Sequence, residues 1–163
     1  MEQHFFGPAG FHFQAVLGGA GNSIATGVTY FTLTDGDGKA ITVQAGQRIV
    51  LNGYVINSDN TQGNSYDVIL FIDTDGGGHS STSVDLHRGG VPAQGGQPFG
   101  VNPARIVGPA LTPANAAGAN ASKAGRLAIS LTAIGGAGSP TDFSATVYGQ
   151  IVGEPLSFNN ATK

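Results

Sequence analysis

The sequence predicts an all-β protein, an antiparallel sandwich or barrel with long Gly/Pro/Ala-rich loops. Three observations predict it. Apolar and polar residues alternate with a period of two in several short runs, and the i, i+3, i+4 spacing of an amphipathic helix is almost absent. Glycine is abundant, 27 of 163 residues, and clusters between those runs, where turns need it. Charged residues amount to 10%, well under the roughly 25% of ordinary soluble domains. A hydrophobic share of 40% is enough for a core, and the length suits one domain.

Taken in order, FQAVL (13–17) opens the alternation, and GVTYFTL (27–33) and AITVQ (40–44) follow as short strands on either side of an Asp-Gly turn. QRIVLNGYVIN (47–57) is the clearest run. Ile49, Leu51, Gly53 and Val55 share one face, while Val50, Tyr54 and Ile56 make the other apolar too, which predicts a strand covered on both sides. YDVILFID (66–73) sets Val68, Leu70 and Ile72 opposite Asp67, Ile69, Phe71 and Asp73. SSTSVDL (80–86) and ARIVG (104–108) are weaker, and GRLAISLTAI (125–134) and FSATVYGQIV (143–152) alternate cleanly. Residues 14–30 and 131–148 echo each other, and each reads as a hairpin around a Gly-Gly-Ala-Gly turn at 18–21 and 135–138. Residues 88–123 break the rhythm. They hold five of the eight prolines, which predicts long excursions around one short strand.

Charge and composition exclude several function classes. Net charge is −3, and the seven Lys and Arg are scattered. No basic stripe exists to displace counterions from a phosphate backbone, which argues against nucleic-acid binding, and no polybasic patch favours anionic lipid. Without cysteine there are no disulfides and no thiolate metal sites. No apolar run is long enough to cross a membrane as a helix. MEQHFFGPAGFHF (1–13) lacks the positive and apolar segments of a signal peptide, so the chain is expected to be made and kept in a cytoplasm until assembly.

The stretch DTDGGGHSSTSVDLH (73–87) brings acids, serines and histidines together around glycines. An EF-hand loop starting at Asp73 would have Asp75 at position 3 and Gly78 at position 6, but Gly77 at position 5 and Val84 at position 12 supply no oxygen. A loop starting at Asp35, with Asp37 at position 3, puts Lys39 and Ala40 where a ligand and a glycine are needed. A calcium site would have to use Asp73, Asp75 and Asp85, or Asp35 and Asp37, in some other geometry. His79 and His87 lie about 27 Å apart along a straight strand, too far to share a zinc ion without a turn. GHSST lacks the second glycine of a nucleophile elbow. No G-x-G-x-x-G or Walker pattern is present. The expected reading is a turn followed by a polar strand, with no catalytic residue, no cofactor and no metal needed for folding. The four tyrosines all fall within strand patterns and are expected to pack within or between sheets.

Residues 1–13 form an aromatic N-terminal arm ahead of a single domain over 14–163. Four of nine phenylalanines, Phe5, Phe6, Phe11 and Phe13, fall there, interrupted by Gly7, Pro8 and Gly10. Gly-Pro-Ala-Gly propagates neither strand nor helix. The arm either closes one end of its own sandwich or docks on a partner through these four rings. So little charge to solvate a bare surface, with apolar residues on both strand faces, predicts a homo-oligomer, with a trimer as the expected state.

A Cys-free, charge-poor, Gly-rich β chain of this size with no catalytic cluster resembles the decoration, or cement, proteins of tailed bacteriophages. The resemblance covers composition and strand pattern and rests on no diagnostic motif. It implies a jelly-roll-like β-sandwich, a place in the virion, and the major capsid protein as partner on the outer surface of an icosahedral head. The alternative is a carbohydrate- or receptor-binding module of a phage fibre or surface protein, with 88–123 as its recognition loops; that region offers Phe99 but no carboxylate.

Overall fold

The computed structural model describes residues 11–18, 24–59, 65–91, 96–101, 106–120, 122–134 and 143–153. Its strands are β1 (Phe11–Gly18), β2 (Gly27–Tyr30), β3 (Leu33–Thr34), β4 (Ala40–Ile41), β5 (Arg48–Asp59), β6 (Ser65–Asp73), β7 (Val84–Val91), β8 (Gly96–Val101), β9 (Ile106–Val107), β10 (Arg126–Ile134) and β11 (Ser144–Val152), with a short helix α1 (Pro113–Ala117) before β10. They make the expected all-β sandwich of two antiparallel sheets. One has the order β4-β3-β1-β11-β5-β8, with β9 also on β5; the other has the order β2-β10-β6-β7.

One rule generates this order. Apart from β3, β4 and β9, the strands pair first with last: β1 with β11, β2 with β10, β5 with β8, and β6 with β7. The chain is a two-stranded ribbon that returns along itself, with the turn between β6 and β7 at its tip. Two further pairings, β11 with β5 and β10 with β6, coil the ribbon into facing sheets. The interior takes Phe13, Ala15, Ile49, Leu51, Ile56, Val147 and Ile151 from one sheet and Val68, Leu70, Ile72, Leu127, Ile129 and Leu131 from the other. Each fully buried Leu or Ile stabilises the fold by about 1.5–3 kcal/mol.

Several sequence expectations are corrected. Neither 14–30 nor 131–148 is a hairpin: β1 and β2 lie in different sheets, as do β10 and β11. Their echo has a topological basis, because the two crossings are the two antiparallel halves of the ribbon, held together at Gly18↔Ser144 and Gly27↔Leu131. Of the two Gly-rich turns only Gly18 is described; 19–21 and 135–138 lie outside the described residues. GVTYFTL is two strands, since the chain leaves the smaller sheet after Tyr30 and joins the larger at Leu33. AITVQ keeps only two strand residues, and the strand within SSTSVDL starts at Val84.

Residues 88–123 hold more structure than the prolines suggest. β7 runs through Val91, and β8 contains Pro98 opposite Asn57. β8 is an edge strand, where a missing N–H need not break the ladder. Helix α1 starts as Thr-Pro: Thr112 caps it by accepting from the Asn115 amide at 3.2 Å, and Pro113 occupies the first turn.

The arm boundary also moves. β1 begins at Phe11, which stands opposite Ile151. Phe13 is only 4% exposed and belongs to the core, sharing the inward parity of Ala15. A ring packed inside its own domain is no partner contact, so Phe13 leaves the arm. Phe11 is 61% exposed at the strand's end, and Phe5 and Phe6 lie outside the described residues. Phe13→Ala is expected to lower unfolding free energy in urea by about 3–5 kcal/mol. Phe11→Ala should stay within about 0.5 kcal/mol. Equal losses would refute the placement of Phe13.

Candidate functional site

Asp73 ends β6 and is fully buried. Its carboxylate organises the turn at the ribbon's tip. Oδ1 accepts from the amides of Gly76 (2.7 Å) and Asp75 (3.2 Å), and Oδ2 from the Gly78 amide (2.8 Å) and the Tyr30 hydroxyl (2.5 Å). Gly76 and Gly78 take φ of 80° and 91°, values that glycine alone adopts without strain. This backbone folds the turn over the outside of the smaller sheet. There Ile69, Phe71 and Ala128 form a second apolar cluster, with Tyr30 packed against it. His79 meets Phe71 edge-on, with centroids 4.9 Å apart, and its Nε2 lies 2.8 Å from Asp85 Oδ1.

Tyr30 is boxed by charge. Arg126 stands opposite Asp73 in register, donates to the Phe31 carbonyl at 2.9 Å and lies 5.2 Å from the Tyr30 ring centroid. Lys123 lies 5.7 Å from the same centroid. Burial and then the hydrogen bond to Asp73 push the Tyr30 hydroxyl up to about 12, so it remains a donor.

The acids weighed as calcium ligands are hydrogen-bonded within the turns. Asp73 faces N–H and O–H donors. Asp75 accepts from the Gly77 amide (2.9 Å) and the Thr82 hydroxyl (3.1 Å), bonds that hold its carboxyl below the usual range. Asp85 faces His79. Asp35 Oδ1 accepts from the amides of Asp37 (3.0 Å) and Lys39 (2.9 Å), closing the turn between β3 and β4. Among the described residues no three His, Asp or Glu converge on one point suited to an ion. The serines also hold the turn: Ser83 Oγ donates to the Gly78 carbonyl and accepts from the Ser80 amide, and Ser80 Oγ meets Thr82 Oγ1.

Regular alternation would put Asp85 and His87 on one face of β7, but they lie on opposite faces. Leu70 pairs with His87 and Phe71 with Asp85, so Leu86 is the extra residue of a β-bulge. His87 therefore turns toward the larger sheet, where its Nδ1 lies 2.8 Å from Tyr54 Oη and the rings meet edge-on at 5.4 Å. His79 and His87 thus stand on opposite sides of the smaller sheet. His12 lies on β1 beside Gln150 (3.4 Å), and His4 falls outside the described residues.

Sequence reasoning missed the outer face of the larger sheet. Val16 stands opposite Thr146, and Thr146 opposite Val55, in one row across β1, β11 and β5. In the next row Tyr148 stands opposite Gln14 and Gly53. Val16, Tyr148 and Val55 are 56%, 42% and 38% exposed. A Cβ added at Gly53 would overlap the Tyr148 ring, so the phenol lies flat on β5. Glycine inside QRIVLNGYVIN was the one available signal, since a mid-strand glycine marks close approach. Along β1 and β11 the other outward side chains include His12, Gln14 and Gln150, with no carboxylate, lysine or arginine. The smaller sheet instead carries an Asp67–Arg88 pair (3.0 Å) together with Asp73, Asp85 and Arg126.

Asp73→Asn is expected to cost about 1–3 kcal/mol in urea unfolding, because an amide nitrogen would face donors that now have an acceptor. An unchanged midpoint would mean that the carboxylate does not hold the turn. His87 supplies a pH dependence. Burial pushes its pKa below the ordinary 6.5, so on acidification the unfolded chain takes the proton first. Its contribution is present above pH 6.5 and is lost as pH falls through the lowered value. Tm should drop from pH 7.5 to pH 5, and His87→Gln should flatten that slope; an equal slope in the variant would assign it to other groups.

No protein family, curated protein or solved structure matches the chain.

Proposed function

We propose that this chain is a structural virion protein, a decoration protein that binds the outside of an icosahedral phage head as a homo-oligomer, with a trimer as the expected state, and stabilises it by bridging major capsid subunits. The observation that carries the reading is the strand order. Numbered along the ribbon, its eight paired strands run 1-8-3-6 in one sheet and 2-7-4-5 in the other. That order supports reading the sandwich as a jelly roll, an architecture of viral capsid domains, lectins and cupins.

Two features suit an adaptor between protein surfaces. The acidic turn is committed to covering its own sheet, whereas the opposite outer face presents Val16, Val55 and Tyr148 without carboxylate or ammonium groups along β1 and β11. Phe11 stands exposed where the segment 1–10 joins β1. Each phenylalanine buried on a capsid contributes about 1.5–3 kcal/mol, and an oligomer multiplies such contacts through avidity.

The test removes residues 1–10, which spares β1. Heads assembled from the capsid protein encoded alongside this chain are mixed with full-length and truncated protein and sedimented. Full-length protein should co-sediment and raise the melting temperature of the shell. The truncated protein should keep its far-UV circular dichroism and bind at least about tenfold more weakly, the loss expected for one anchoring ring. No co-sedimentation of the full-length protein overturns the proposed function, and undiminished binding by the truncated form overturns the anchoring role of Phe5 and Phe6.

A further inference from the structure

We infer that the outer face of the larger sheet, centred on Val16, Val55 and Tyr148, is the surface on which a second copy of this chain docks. The inference rests on the homo-oligomer of the reading above and names the face that builds it.

Its geometry suits docking. The Val16–Thr146–Val55 row spans three neighbouring strands, roughly 10 Å across. Tyr148 extends the patch by one row, and its ring rests on Gly53 rather than projecting into solvent. A ring already held by its own backbone loses little freedom on binding, which is why pinned tyrosines serve well as interface anchors. β1, β11 and β5 lie inside the sheet rather than at its edge, so the patch is backed by paired strands on both sides.

Electrostatics chooses the occupant. The chain carries a net charge of −3, so two copies repel each other in general. A face without carboxylates along β1 and β11 is where a like-charged copy approaches against least resistance, and Arg48, at the start of β5, adds no negative charge. A nucleic acid or an anionic membrane would need a cluster of cations, and β1, β11 and β5 offer Arg48 alone. A second copy offers matching chemistry: aliphatic, hydroxyl and amide groups around a flat phenol, with the charged residues of β5, Arg48 and Asp59, at the two ends of the strand and away from the Val16–Val55 row.

The test compares molar masses by light scattering after size exclusion, on the full chain at micromolar concentration. Wild type should run as an oligomer. The double substitution Val16→Lys, Val55→Lys should run as a monomer with unchanged far-UV circular dichroism, because it sets like charges against each other. Ile134→Lys, at an exposed apolar position on the other sheet, should leave the oligomer intact. If the lysines unfold the chain, Val16→Thr with Val55→Thr keeps strand propensity and should weaken association at least tenfold in a dilution series. A monomeric wild type, a double variant as oligomeric as wild type, or dissociation by Ile134→Lys overturns the inference. The head-binding reading is judged separately: a monomer that still co-sediments with heads sinks only this interface, and an oligomer that ignores heads sinks only the capsid reading.

Discussion

The pairing of β11 between β1 and β5 is the constraint on which the rest of this structure depends. The last described strand lies inside the larger sheet, with the first strand on one side and the fifth on the other. Its inward residues Ala145, Val147 and Ile151 are fully buried. The seam between the two ends of the chain therefore forms only when distant segments meet, and closing such loops carries most of the entropic cost of a sandwich fold. Chains built this way fold slowly for their size and gain little from local structure. The reward is that an early and a late part of the sequence become one continuous surface. Val16, Thr146, Tyr148 and Val55 are neighbours only for that reason.

The two outer faces solve the same problem differently. The smaller sheet has apolar residues outside as well as in, at Ile69, Phe71 and Ala128, and covers them with its own chain. Asp73 makes that cover possible, because one carboxylate satisfies several donors of a turn that would otherwise bury unpaired amides. Among the described residues the larger sheet leaves Val16, Val55 and Tyr148 exposed. The patch left open there carries no charged side chain from β1 or β11, and its aromatic ring lies against Gly53. A protein with few charges leaves such a face open to a partner, and this asymmetry between the faces underlies both functional proposals.

The tie between Tyr54 and His87 shows how the same sandwich carries polar groups inside. Each comes from a different sheet, and their 2.8 Å contact crosses the interior. Burial lowers the imidazole's affinity for a proton and raises the pKa of the phenol, so both stay neutral near pH 7. A neutral pair holds the sheets together without the desolvation that a charged pair would incur.

Local rules made much of the fold legible in the sequence alone. Alternation with period two marks β6, β10 and β11 and their inward faces, because side-chain direction in a regular strand depends only on the pleat. In β5 it marks the strand but not the face, since the extra residue Asn52 sends Ile49 and Leu51 inward with Tyr54 and Ile56 and leaves Gly53 and Val55 outside. Asp-Gly chemistry marks the turns at 35–38 and 73–78, because a carboxylate bonding its own downstream amides is a contact of a few residues. Partners, by contrast, were invisible. A strand alternates in the same way whether its neighbour is the next one or the last one, so two sheet crossings read as hairpins. The bulges opposite Leu70 and beside Tyr148 shift parity by one residue, and no local pattern announces them. Phe13 belongs to the core because β11 lies beside β1, a fact that the arm's own composition does not contain. Faces and turns are short-range properties and can be read from residues in order; sheet membership, and with it the exposed Tyr148 face, is long-range and is decided only when the ribbon rolls up.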